Sequence, residues 1–143
     1  MKHTKTLLIF EKEELTENES ALLYLIPLVQ TAWSHAAVAP REKKLIFDAA
    51  REDGIDERDP FNDLLDLLLT YQPSGEFFET CLSRISENFS RMTKNKRNDL
   101  RDRILSRCHS VAASAGTNSA MDTNHHISVE ERLYLQRLDE ILK

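Results

Sequence analysis

The sequence predicts an all-α fold, a compact single-domain bundle of about six helices with a pseudo-repeated helix-elbow-helix. Three observations support this prediction. The 143 residues include only three glycines and four prolines, apolar residues recur at helical spacing, and strictly alternating β-branched runs are absent. With 41% hydrophobic and 30% charged residues, the chain has a globular composition and is long enough for one buried core.

Most of the expected helices begin at a recognisable cap. Thr16 and Glu19 form a capping box, in which each side chain binds the backbone N–H of the other residue. Asp59 combines a cap with a proline at the first helical position, and Gly54 supplies the left-handed residue that ends a helix. A polar break near residues 93–98 is expected to delay the fifth helix. The expected helices span approximately residues 16–36, 40–53, 60–71, 75–89, 100–115 and 128–142.

Residues 1–15 are interpreted as an N-terminal arm that precedes the helical domain of residues 16–143. The apolar run Leu7-Leu8-Ile9-Phe10 is compatible with a short strand-like arm or with an extra helical turn over the core, and the sequence leaves both open. The run is followed at once by Glu11, so it is too short for a signal sequence or a membrane span. We therefore expect no membrane span.

Net charge and cysteine usage bear on two questions, whether the protein binds nucleic acid and in which compartment it is found. A formal charge of −5 at pH 7 argues against nucleic-acid binding, which depends on neutralising phosphates. The locally basic residues 91–107 are expected to form an exposed helix face that complements the acidic residues 52–66, with an acidic partner surface or nucleic acid as the alternatives. Cys81 and Cys108 lack a CxxC pattern and are expected to be buried thiols in a reducing compartment, the cytoplasm.

Two similar elbows occur in the sequence. In the first, Trp33 lies near the end of one helix and Pro40 starts the next, with Glu42 at the third helical position, where a carboxylate favours the positive end of the helix. In the second, Ser128 is the expected cap and Glu131 takes the equivalent position. This repetition predicts two related halves.

The elbows resemble those of the tellurite-resistance TerB-like family over roughly residues 22–142. That family's elbow commonly reads Ala-Trp-Ala-Asp-Gly-x-Ile/Val-x-x-x-Glu and occurs twice in an all-helical domain. His35 and Ala36 stand where Asp and Gly are expected, and residues 116–126 replace the compact turn of the second copy. The matching residues are Trp33, Val38, Glu42, Ile127 and Glu131.

The resemblance implies that the two elbows lie side by side and form a metal-binding corner. If the halves pack with pseudo-twofold symmetry, imidazoles and carboxylates from both would come within reach of one ion. Such a set suits zinc, iron or manganese, whereas an oxygen-only site suits calcium. The alternative is that the glutamates only cap helices and the histidines are solvated. The candidate ligands are His35, Glu42, His125, His126 and Glu131.

No motif in the sequence predicts an enzyme. Cys108 and His109 are helix neighbours that point about 100° apart, so they cannot form a thiolate–imidazolium pair with each other. We therefore expect a non-enzymatic, metal-binding interaction module, for which the TerB-like resemblance implies a role in stress or tellurite resistance. The alternatives are a purely structural protein-protein adaptor and, more remotely, a small helical metalloenzyme. The surplus leucines Leu67 and Leu69 indicate that their helix is buried on more than one side. We expect an unidentified protein partner, with a homo-oligomer as a further option.

Overall fold

The computed structural model describes residues 3–34, 37–115 and 129–143, and these residues form seven α-helices and no β-strand. The all-α prediction is confirmed. The expected count of about six helices is wrong within this part of the chain, because the N-terminal apolar run is itself a helix. The helices are α1 (Thr4–Phe10), α2 (Glu17–Ala32), α3 (Pro40–Glu52), α4 (Pro60–Thr70), α5 (Gly75–Ser90), α6 (Lys94–Ala115) and α7 (Val129–Ile141).

Helix α1 owes its formation to tertiary contacts. With seven residues and no side-chain cap at His3, it is too short to be stable by itself in water. Phe10 is buried in the core, and His3 Nε2 forms a 2.8 Å hydrogen bond with the Tyr71 carbonyl. The helix packs on α5 and α2, so residues 4–10 are part of the bundle.

Helix α2 lies at the centre of the bundle and contacts all six other helices. A helix in this position must be apolar around most of its circumference. The helix continues through Pro27, whose carbonyl accepts hydrogen bonds from Thr31 Oγ1 and the Tyr134 hydroxyl over 2.8 and 3.3 Å. Its buried apolar residues include Leu22, Leu23, Leu25, Ile26, Leu28, Val29 and Ala32.

The helix starts expected at Thr16, Asp59 and Ser74 are confirmed, whereas the expected cap Ser128 lies outside the described residues. Thr16 and Glu19 form both hydrogen bonds of a capping box, and Ser74 Oγ accepts the Phe77 N–H over 3.1 Å. Gly54 has the positive φ of 99° that ends α3. Helix α6 begins at Lys94, earlier than expected, because Thr93 Oγ1 accepts the Lys96 N–H over 3.3 Å and caps it.

The two helices that follow the elbows, α3 and α7, both pack against α6. Helix α6 contacts α2, α3 and α7, and α7 also contacts α2. The first elbow leads directly into α3, and α7 starts at Val129. The pseudo-repeat stays a prediction, because residues 125–128 of the second elbow lie outside the described ranges.

Candidate functional site

The first elbow is attached to the bundle through Trp33. Helix α2 ends at Ala32, and the indole Nε1 of Trp33 donates a 2.8 Å hydrogen bond to the Leu68 carbonyl of α4. Ser34 Oγ donates to the Thr31 carbonyl over 2.7 Å. These two bonds hold the end of α2 against α4.

Glu42 is fully buried at the start of α3. It occupies the third helical position and has 0% exposure. The Ala39 N–H donates a 2.8 Å hydrogen bond to Glu42 Oε1, so the side chain caps the helix as the sequence predicts. Ala39 itself has no side-chain oxygen, and α3 therefore has only the glutamate half of a capping box.

Glu131 has the equivalent place in α7. It is the third residue of that helix and is 1% exposed. Among the acidic residues in the described ranges, only Glu19, Glu42 and Glu131 are buried, and all three are third residues of helices. Burying an ionised carboxylate costs free energy unless hydrogen bonds or a counter-charge compensate it. A buried glutamate thus occurs at the third position of three of the described helices.

The structure describes two of the five predicted metal ligands, Glu42 and Glu131. His35, His125 and His126 lie outside the described residues. Within the part of the chain that is described, no group of three or more His, Cys, Asp or Glu side chains is arranged to hold a metal ion. Convergence of the five candidates on one ion stays a prediction.

The two cysteines are structural residues of the core. Cys81 and Cys108 are free and buried. Burial raises the pKa of each thiol to about 12, so both are protonated at neutral pH. A protonated thiol is a poor nucleophile and a poor metal ligand, which removes both cysteines from the candidate site.

Part of the basic stretch is neutralised within the chain. Arg107 binds both carboxylate oxygens of Asp53 over 2.7 and 3.0 Å, and Arg103 lies 3.8 Å from the same carboxylate. Arg101 contacts Asp139 of α7. The pairing with Asp53 agrees with the expected complement to the acidic region, whereas nothing in the local sequence indicated Asp139, which is 38 residues away.

No known protein family, curated protein or solved structure matches this chain. None of the described helices is both long and apolar enough to cross a bilayer.

Proposed function

We propose that this protein is a non-enzymatic helical module that binds a divalent metal ion at its two elbows and acts through a protein partner. The observation that carries the proposal is the burial of Glu42 and Glu131, at 0% and 1% exposure, at the same position of α3 and α7. Each follows an elbow whose sequence contains histidine, at His35 in one case and at residues 125–126 in the other.

The chemistry of this residue set suits a transition metal. Two carboxylates and two imidazoles match the preferences of zinc, iron or manganese better than those of calcium, which takes oxygen ligands. Glu42 and Glu131 would contribute the oxygens, and His35 with His125 or His126 the nitrogens.

The biological setting that we propose is a cytoplasmic response to tellurite or metal stress, and it depends on the TerB-like resemblance alone. Free thiols at Cys81 and Cys108 are compatible with a reducing compartment. Their protonation also fits a module without a cysteine nucleophile. The pairing of Arg107 with Asp53 supports a partner other than nucleic acid, because the charge of Arg107 is already compensated within the chain.

The second candidate function is a structural adaptor without metal. Val129 and Leu133 favour it, since they lie one turn apart on α7 with 66% and 60% exposure. Two large apolar side chains on one exposed helix face are typical of a protein contact. In this case Glu42 and Glu131 would serve only as caps.

Elemental analysis of protein purified without an affinity tag distinguishes the two functions. The metal-binding module should carry about one equivalent of zinc, iron or manganese, and titration calorimetry of the metal-free protein should give a saturable heat. Binding should weaken below about pH 6 as imidazole becomes protonated. His35→Ala, Glu42→Gln and Glu131→Gln should each abolish stoichiometric binding.

Glu19→Gln is the matched control, because Glu19 is also a buried third residue that caps a helix but lies outside the elbows. It should bind metal as the wild type does. If Glu19→Gln and Glu42→Gln lose binding equally, the loss reflects destabilisation and not a ligand. Absence of metal and of any titration heat with zinc, manganese and calcium would leave the adaptor as the function.

A further inference from the structure

The segment of residues 3–10, which contains α1, is held to the bundle differently at its two ends. Directly after the helix, Lys12 Nζ lies 2.9 and 2.6 Å from the two carboxylate oxygens of Glu19 in α2. Arg84 of α5 donates a 3.0 Å hydrogen bond to the Glu13 carbonyl. These contacts are made by residues that follow the helix, so they hold the connection to α2 in place even when α1 is unfolded.

At its other end the segment is held by His3. The imidazole Nε2 forms a 2.8 Å hydrogen bond with the Tyr71 carbonyl at the end of α4. The ring also packs on Phe77 in the first turn of α5, with 5.6 Å between the ring centroids and an interplanar angle of 56°. His3 and Phe77 are both buried, so the segment covers a core aromatic ring where α4 connects to α5.

Between these ends, α1 depends on a narrow buried face. Thr6 and Phe10 are buried, whereas Lys5 and Leu8 are exposed, and the helix packs on α5 and α2. A helix of seven residues without a side-chain cap does not persist in water without its packing. Release of the buried face and unfolding of α1 are therefore one event.

The other six described helices have contacts of their own. Helix α2 begins at the capping box of Thr16 and Glu19 and packs on α3, α4, α5, α6 and α7 as well as on α1. Proteins open locally in cooperative units, and terminal elements with few contacts have opening free energies below that of global unfolding. Opening of α1 leaves the contacts among α2–α7 in place.

We propose that residues 3–10 form a lid that opens as a unit from its His3 end, hinged at the connection to α2, while α2–α7 stay folded. Opening breaks the bond between His3 and the Tyr71 carbonyl and exposes the rings of Phe10 and Phe77 to water. The burial of these rings favours the closed state, so the lid is closed in most molecules. The fold thus contains a conformational change that uncovers apolar surface without unfolding the bundle, and this change does not depend on the proposed metal.

Amide hydrogen exchange of the full chain tests the lid. The amide protons of residues 7–10 should exchange faster than those in the middle of α2. Their exchange should not depend on urea at low concentrations, because local opening exposes little surface. His3→Ala should speed the exchange of residues 7–10 by about tenfold, the value of about one hydrogen bond. Lys5→Ala is the matched control on the exposed side of the same helix and should leave this exchange unchanged.

Ile104→Val distinguishes local opening from global unfolding. Ile104 is buried in α6, and loss of one methylene from the core should speed exchange in α2 by about fivefold. A lid that opens by itself should not respond, because α6 is folded in both the closed and the open state. Equal acceleration of residues 7–10 and α2, an equal urea dependence of the two, or equal effects of His3→Ala and Lys5→Ala would each overturn the proposal.

Discussion

Helices α2 and α3 both begin with a glutamate at the third position, yet the two side chains have different surroundings. At the start of α2, Thr16 and Glu19 exchange hydrogen bonds of 3.1 and 2.8 Å. At the start of α3, Glu42 accepts the Ala39 N–H over 2.8 Å, and Ala39 has no oxygen to return the bond. Both glutamates cap their helices, but only the cap of α2 is reciprocal.

The counter-charge of Glu19 is visible next to it. Lys12 Nζ lies 2.6 and 2.9 Å from the two carboxylate oxygens. The hydrogen bond from Lys12, and after it the one from the Thr16 N–H, lowers the pKa of Glu19. Glu19 is thus a capping glutamate that is paired with a half-exposed lysine.

The largest expected difference between Glu19 and Glu42 is in how much a bound metal ion raises the free energy of unfolding of their variants. A ligand that binds only the folded state at about one hundred times its Kd raises the free energy of unfolding by about 2.7 kcal/mol. Zinc at that excess should stabilise the wild type and Glu19→Gln by this amount, and Glu42→Gln should not respond. Urea unfolding with and without zinc measures the effect. An equal response of Glu42→Gln would show that Glu42 is a cap and not a ligand.

Removing the cap hydroxyl of α2 and adding one to α3 should change the free energy of unfolding in opposite directions. Thr16→Ala removes the hydroxyl that accepts the Glu19 N–H and should lower the free energy of unfolding by about 1 kcal/mol. Ala39→Ser adds an acceptor at a residue that already has the extended backbone of a cap, with φ −75° and ψ 151°, and should raise it by about 0.5–1 kcal/mol. Chemical denaturation of the metal-free proteins tests both. A destabilised Ala39→Ser protein would show that the elbow has no room for the hydroxyl.

The smallest expected effect is the pH dependence of the Lys12–Glu19 pair. Because the pKa of Glu19 is lowered in the folded state, the pair stabilises the protein above the unfolded value of about 4.3, and this contribution is lost as pH falls through the folded pKa. The difference in unfolding free energy between the wild type and Lys12→Met should be constant above about pH 5 and should shrink at lower pH. Since Lys12 is half-exposed, the difference should stay below about 1 kcal/mol. A difference that persists unchanged at pH 3 would contradict the pairing.

The parts of the fold and of the site that the sequence predicts depend on interactions between residues close together in the chain. The capping box of Thr16 and the positive φ of Gly54 involve atoms within a few residues, so the sequence pattern contains the information needed to place them. The same locality explains why Glu42 was expected at the third position of α3. Helix α6 begins earlier than its sequence pattern predicts, because Thr93 is a cap of the same kind but stands in a polar run that is typical of a break.

By itself, the sequence determined the all-α class, most helix starts and the capping role of Glu42, because these follow from spacing and from hydrogen bonds along the chain. Tertiary structure decided the rest. It stabilised α1 through the contact of His3 with Tyr71, 68 residues away, and paired Arg107 with Asp53 across 54 residues. Burial and pairing depend on which surfaces meet after folding, and no local pattern of residues encodes that choice.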